Sequence, residues 1–472
     1  MSTVREQSWV RRDPRGQVVT TPSADAVEQL ELAVFGLLGH RADTGQRLEA
    51  ALALDPGLIP ALCLQGFAYK CLGRRDFDPA ASSCWERART SLEARGGSER
   101  ERALVAALGS WCEGEPLKAA RCLSTSLRAH PRDLLTLKLH HALHFILGRA
   151  YELRSGTEWV LCALPETEPG YGYVLGCNAF ALEETGQLAA AEHAGRRAIE
   201  LAPLDAWGAH AVAHVLERQD RSLEGLAFME RVEPVLAGCN NFRGHLAWHR
   251  SLFLLQLARH DQALALYDED IAVHLGRDYR DVSNASSLLF QLERAGVNVG
   301  DRWQRLAQLA RERIGDHRSA FADAHYMLAL THAGESLASA QFLAAMRLRS
   351  HEPGHMAVVQ RHVGVPVASA IAALSRGRAQ EAVRTLLPTA RAWSLLGGSH
   401  AQRDTFWHLL LTAAEASGER NLVQTLLGQR LSARPENRFA QERLAQLGKA
   451  APERRAAVSQ QTLPQPVLGV CA

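Results

Sequence analysis

Residues 187–205 read QLAAAEHAGRRAIELAPLD, and this stretch decides the fold. Ala190, Ala194 and Ala198 recur every four residues, so small side chains line one helical face and admit a second helix closely. Pro203 then stops the helix, because a proline ring cannot continue the hydrogen-bond ladder. The same punctuation returns on both sides. Short breaks centre on Gly114, Gly148, Gly186, Gln219 and Arg259, spaced 34, 38, 33 and 40 residues apart. Between them fall second breaks at His130-Pro131, Leu164-Pro165, Ala202-Pro203 and Glu233-Pro234. Further breaks centre on Ala295, Gly334, Gly377 and Gly418.

A helix, a tight turn, a second helix and a proline-bearing link repeated at about 34 residues is the tetratricopeptide arrangement. The reading is an all-α chain, a right-handed α-solenoid of roughly eleven irregular tetratricopeptide-like (TPR-like) hairpins over residues 23–450. A capping helix is expected at about 438–447. Residues 1–22, ending in Thr21-Pro22 before the N-cap Ser23, read as a flexible N-terminal arm. Residues 451–472, with their Ser, Gln and Pro, read as a flexible C-terminal tail.

Composition narrows the function classes. Hydrophobic residues make up 47% and charged residues 22%, enough apolar content to bury a core. The 53 basic and 51 acidic residues leave a formal charge of +2, so no nucleic-acid partner and no anionic membrane surface is expected. No apolar run is read as approaching the roughly 18–20 residues of a membrane helix, and the N-terminus lacks the core of a secretory signal. Nine cysteines, an odd number without a C-x-x-C, read as small buried hydrophobes in a reducing compartment. A cytoplasmic location follows as an expectation.

Two consecutive first helices each carry histidines four residues apart: His210 with His214, and His245 with His249. Residues i and i+4 share a helix face, so each pair points one way. First helices of such hairpins line the concave surface. His210 lies nine residues before Gln219, His249 ten before Arg259, His325 nine before Gly334 and His140 eight before Gly148. Equal distance from the turn predicts equal height, hence a histidine band around one basin with Trp248, Tyr326 and His332 beside it. Histidine titrates near neutrality and suits acid–base work, and neutral imidazole binds zinc, iron, copper or nickel. The spacing is not the H-E-x-x-H zinc motif, because Ala211 stands where its glutamate would be. Glu217 is seven residues from His210, about 10 Å along the helix. A metal would therefore need ligands from neighbouring helices, His249 or His245.

A second constellation is LLGGSHAQRDTFW at 395–407. Ser399 can cap the following helix, and His400, Gln402, Arg403 and Asp404 fill its first turns. Free N–H groups and the positive dipole end, with Arg403 added, make a carboxylate or phosphate anchor. The Gly-rich GYGYVLG at 170–176 follows no strand, which removes the dinucleotide reading.

Several segments resemble the tetratricopeptide repeat protein 38 family: HAVAHVLE at 210–217, HLAWHRSLFLLQLARHDQALALYD at 245–268, SLLFQLERAG at 287–296, DAHYMLAL at 323–330 and GGSHAQRD at 397–404, together with Arg434-Pro435. The resemblance covers about residues 20–440. It implies an irregular α-solenoid of undefined activity. It also places His210, His214, His245, His249, His325, His400, Arg403 and Asp404 among recurrent polar positions. The chain departs from that pattern at Arg250, where the family tends to carry an apolar residue.

The leading expectation is a His-rich concave pocket for a small polar or anionic ligand, worked by histidine acid–base chemistry of hydrolase, lyase or cyclase type. His210, His249, His325 and Asp281 are its catalytic candidates. His214, His245, Trp248, Tyr326, Ser399, His400, Arg403 and Asp404 are its ligand-binding candidates. A divalent metal, zinc or iron, on His210, His214 and His249 is compatible with the sequence and not required by it. The alternative is a non-catalytic TPR scaffold holding a protein or peptide in the concave groove. The rarity of inner lysines argues against a chaperone-tail clamp. A homodimer is compatible with either reading.

Overall fold

A computed structural model describes residues 9–276 and 278–449. Its elements are helices, apart from one small hairpin of β1 (Val10–Arg12) and β2 (Val18–Thr20). The helices run in antiparallel pairs. The first four pairs are α1 (Ala24–Leu38) with α2 (Thr44–Leu54), α3 (Ile59–Cys71) with α4 (Asp78–Arg95), α5 (Glu99–Cys112) with α6 (Pro116–Ala129), and α7 (Leu134–Ile146) with α8 (Ala150–Ala163). Next come α9 (Tyr171–Glu184) with α10 (Leu188–Leu201), α11 (Ala206–Arg218) with α12 (Ser222–Val232), and α13 (Phe242–Gln256) with α14 (His260–Leu266). Then follow α15 (Tyr279–Arg294) with α16 (Arg302–Arg311), and α17 (Ala320–His332) with α18 (Ser336–Arg349). In the tenth pair α19 (His355–Val359) passes through a π-turn into α20 (Val365–Ser375), which packs on α21 (Ala379–Leu386). The eleventh pair is α22 (His400–Ala416) with α23 (Arg420–Ala433), and α24 (Arg438–Lys449) caps the array.

Each hairpin turn has at least one residue of positive φ: His40, Gly73, Gly114, Gly148, Gly186, Asp220, Ala258, Gly296 (with Gly300 in the same turn), Gly334, Gly377 and Gly418. That left-handed residue reverses the chain between paired helices. Glycine supplies it without steric cost, while His40, Asp220 and Ala258 hold it under strain. The small-residue face of α10 is Ala191, Ala194, Gly195 and Ala198; Ala190, expected on it, is exposed. A helix tilted by one residue explains the shift, since the face rotates about 100° per residue.

Two expectations are corrected. The loose arm is, over residues 9–22, a docked hairpin: Thr20 N–H and Oγ1 donate to Glu101 at 2.8 and 2.7 Å, and Thr21 Oγ1 donates to Asp55 at 2.7 Å. Buried carboxylates on α5 and after α2 supply what residue pattern alone did not reveal. Residues 1–8 and the tail at 451–472 lie outside the described residues. The segment His355–Ser375 is also long and apolar enough to cross a membrane, although 61% of its window is buried against neighbouring helices. His355, Gln360, Arg361, His362 and Ser369 interrupt it, so it holds no unbroken apolar run of that length.

The solenoid closes on itself. The turn of the first hairpin meets the link after the sixth: Asn240 N–H donates to His40 O at 2.8 Å, and Ala42 N–H to Gly238 O at 3.1 Å. The second meets the link after the eighth, through Arg75 N–H to Asp316 at 3.1 Å. The sixth meets the C-terminal end, where Arg434 pairs with Glu217 at 2.8 Å and Asp220 at 2.6 Å. Successive superhelical turns thus touch, and the inner helices are packed on most sides. In α11 every residue from Ala206 to Glu217 is buried.

Candidate functional site

Inside this closed superhelix α11 and α13 bring their histidine pairs together. Asp205 caps α11 by accepting from Trp207 N–H at 3.1 Å, and Asn240 accepts from Phe242 N–H at 2.9 Å to start α13. His210 Nε2 lies 2.9 Å from both His214 Nε2 and His245 Nε2. His249 completes the group, its ring centroid 4.9 Å from that of His210 and 4.5 Å from that of His214. One potential ligand atom from each of the four lies within 4.8 Å of the others. His245 is 9% exposed and the other three at most 1%.

Outer contacts orient two of the rings. His214 Nδ1 faces Glu183 Oε2 on α9 at 3.3 Å, and Glu183 also accepts from Arg218 at 3.1 Å. His245 Nδ1 donates to Asn284 Oδ1 on α15 at 3.1 Å. Both oxygens are acceptors, so they favour the proton on Nδ1 and leave the Nε2 lone pairs facing inward. Burial, reinforced by the neighbouring imidazoles, pushes His210 and His249 well below the ordinary histidine range. Burial lowers His245 to about 3. All three stay neutral at physiological pH.

Beside the cluster opens a cavity of about 120 Å³. Its wall includes His40, Lys138, His141, Trp207, His210, Phe242, His245, Arg280, Asp281 and Asn284, and Ser399 with Gln402 closes it from the start of α22. Lys138 is 5% exposed and makes no direct ion pair among the described residues, although it interacts electrostatically with the buried Asp205. Its Nζ sits 3.4 Å from His40 Nε2 and 4.8 Å from the centroid of the Trp207 ring. His40 is stacked on Phe242 and Trp207. Asp281 accepts from Asn241 at 3.0 Å, and burial together with nearby Asp278 raises it to about 7.

The sequence candidates therefore separate. His210, His214, His245 and His249 converge, and Asp281 and Ser399 join His210 and His245 around the cavity. His325 lies apart: its Nδ1 donates to Phe321 O at 2.8 Å and its ring packs on Phe321 and Phe406. Trp248 packs in the core, stacked on His245 and donating to Ser287 at 2.8 Å. Tyr326 packs against Phe342. Ser399 caps the helix start as expected, and the structure adds a capping box with Gln402. The carboxylate it holds belongs to this chain: Glu184 accepts from His400 N–H at 2.7 Å and from Arg403 at 3.1 Å. Asp404 pairs with Arg430 and faces His408 at 3.3 Å. Arg250 turns outward to Glu233 at 3.2 Å, so its departure from the family pattern leaves the histidine face intact.

Sequence reasoning missed His40, Lys138, His141, Glu183 and Asn284. Two signals were available. Lys138 stands in the apolar run LLTLKLHHALHF, and Asn284 lies one helical turn beyond Asp281, a residue already singled out. A polar group at a core position is costly unless something meets it.

Comparisons with known proteins add little beyond fold class. No family model matches the chain. The crystal structure of yeast Tom70 is similar at 14% identity, over 90% of this chain and 89% of that one, with a TM-score of 0.37. The APC/C hetero-tetramer Cut9-Hcn1 matches at 11% identity, over 91% of each chain, with a TM-score of 0.36. The P58(IPK) TPR domain matches at 14% identity, over 84% and 99%, with a TM-score of 0.19. The assignment itself rests on the eleven hairpins and their turn residues: the chain is a TPR-like α-solenoid.

Proposed function

We propose that this chain is a binding protein whose inner face is specialised for a small anionic molecule. One observation carries the reading: the buried Lys138 borders a cavity and forms no direct ion pair among the described residues, the buried Asp205 acting on it only from a distance. A buried charge without a direct counter-ion is expensive, and an anion entering the cavity would balance it. The volume of about 120 Å³ has room for roughly ten water-sized groups, which suits a small molecule. Asp281 and the imidazoles around it could exchange protons with such a molecule, but binding is the part the geometry supports. Thermal shift against acetate, oxalate and inorganic phosphate tests it. At least one should stabilise the wild type and lose that effect in Lys138→Met. No stabilisation by any, or the same stabilisation in the variant, would reject it.

A second reading, a scaffold for a protein or peptide partner, has an observation of its own. Tyr151 and Trp159 lie eight residues apart on α8, 76% and 50% exposed, on one outward face. Aromatic side chains so displayed are common anchors in protein interfaces. The TPR-like architecture supports this reading too, since stacked hairpins present long surfaces. The likeness to the tetratricopeptide repeat protein 38 family is compatible with both.

A further inference from the structure

We propose that His210, His214, His245 and His249 together bind one divalent transition-metal ion. The inference stands independently of the anion reading, because its ligands are four imidazoles and Lys138 is not among them.

Proton counting carries it. Three Nε2 atoms converge, with His210 at 2.9 Å from each of the other two. Asn284 holds the proton of His245 on Nδ1, and the Glu183 carboxylate facing His214 Nδ1 at 3.3 Å, though not in hydrogen-bonding geometry, favours the proton there as well, so both present lone pairs to His210. His210 Nε2 carries at most one proton and can satisfy one of them. The other lone pair then has no donor. Neither ring nitrogen of His249, nor Nδ1 of His210, has a hydrogen-bond partner among the described residues. A hydrogen-bonded packing cluster would leave these groups unmet in a dry interior, where each costs about 1–3 kcal/mol. A cation accepting one lone pair from each ring removes the conflict at once.

The chemistry of the donors selects the ion. Four imidazole nitrogens suit zinc, cobalt, nickel, copper or iron, whereas calcium and magnesium require oxygen ligands. Metal–nitrogen bonds of about 2.0–2.1 Å place neighbouring ligand atoms roughly 3–3.4 Å apart. The observed separations need only small ring movements to reach that arrangement. Glu183 behind His214 and Asn284 behind His245 match the outer carboxylate and carbonyl partners that orient metal-bound histidines. His210 and His245 also line the cavity, so the ion would border it.

The test is cobalt(II) titration of the full chain after chelator treatment. One equivalent should bind, with visible absorption typical of nitrogen ligation, and zinc should displace it. His245→Ala with His249→Ala should weaken uptake by at least about 100-fold. Glu183→Gln should weaken it by about 10–100-fold. A His140→Ala, His144→Ala control should bind like the wild type. Two results would overturn it: no uptake by the wild type, or undiminished uptake in the folded His245→Ala, His249→Ala variant. If that variant fails to fold, X-ray absorption of the cobalt-loaded wild type decides. Three or four imidazoles in the first shell uphold the site and fewer reject it.

Discussion

His140 and His144 on α7, and His210 and His214 on α11, are both i,i+4 pairs on first helices at similar distances from their turns. Yet His210 and His214 meet a second histidine pair, while His140 and His144 share one hydroxyl, Ser124 Oγ on α6, at 3.1 and 3.4 Å. The difference is azimuth. His210 stands ten residues before its left-handed turn residue Asp220, and His140 eight before Gly148. Two residues rotate the side chain by about 200°, which turns α7's pair away from the lumen and toward α6 and α8. His141, one residue on, comes round to the lumen and lines the cavity. Height along the wall does not make a site; face does.

The largest expected effect tests what fixes that face. A Cβ on Gly148 would lie 1.8 Å from Ser394 O, and its φ of +67° already disfavours any other residue. Gly148→Ala should cost at least about 3 kcal/mol in urea unfolding, from the clash plus left-handed strain. A cost below about 1 kcal/mol would mean that docking of this turn on 394–397 does not set the rotation of α7.

Acid should then show the two regions behaving alike. Burial lowers His245 to about 3 and His144 to about 4, and pushes His249 and His140 well down. The unfolded chain therefore binds protons near pH 6.5 that the folded chain refuses. Stability is full above about pH 6.5 and falls as pH drops from there toward 4. Each such histidine contributes a slope of about 1.4 kcal/mol per pH unit. Without added metal, His245→Gln with His249→Gln and His140→Gln with His144→Gln should each flatten the slope by roughly two protons' worth, about 2.7 kcal/mol per unit. A slope unchanged by either pair would show those rings to be wetter than their burial implies.

Outer partners should separate the regions again. Asn284→Leu leaves His245 Nδ1 without its acceptor and should cost about 1–3 kcal/mol. Ser124→Ala, on the other pair, should cost about 1 kcal/mol or less, because Ser124 is half-buried and already donates its hydroxyl proton to Ala120 O at 2.9 Å. Equal costs measured by urea unfolding would undo the distinction between an oriented cluster and a packed pair.

The smallest effect lies in the turn of the cluster's own hairpin. Ala258 holds φ +55° where α7's turn has a glycine. Ala258→Gly should raise stability by about 1 kcal/mol, relief of left-handed strain partly offset by a looser unfolded chain. A destabilised variant would mean that the methyl group packs usefully.

By itself the sequence determined what short-range periodicity can encode. Gly and Pro punctuation marked the hairpins, their number and the cap at α24, because turn residues impose local backbone geometry whatever lies around them. The i,i+4 histidines, the Ser399 cap and its appetite for an anion were legible for the same reason. Only the tertiary structure decided where those groups ended up. It supplied Glu184 as the anion from 216 residues away, set His325 among phenylalanines, and brought His40, Lys138 and Asn284 to one cavity. Small rotations between successive hairpins accumulate until superhelical turns touch, and that sum is written in no single repeat. Periodicity names a helix's faces, whereas packing chooses which neighbour each face meets.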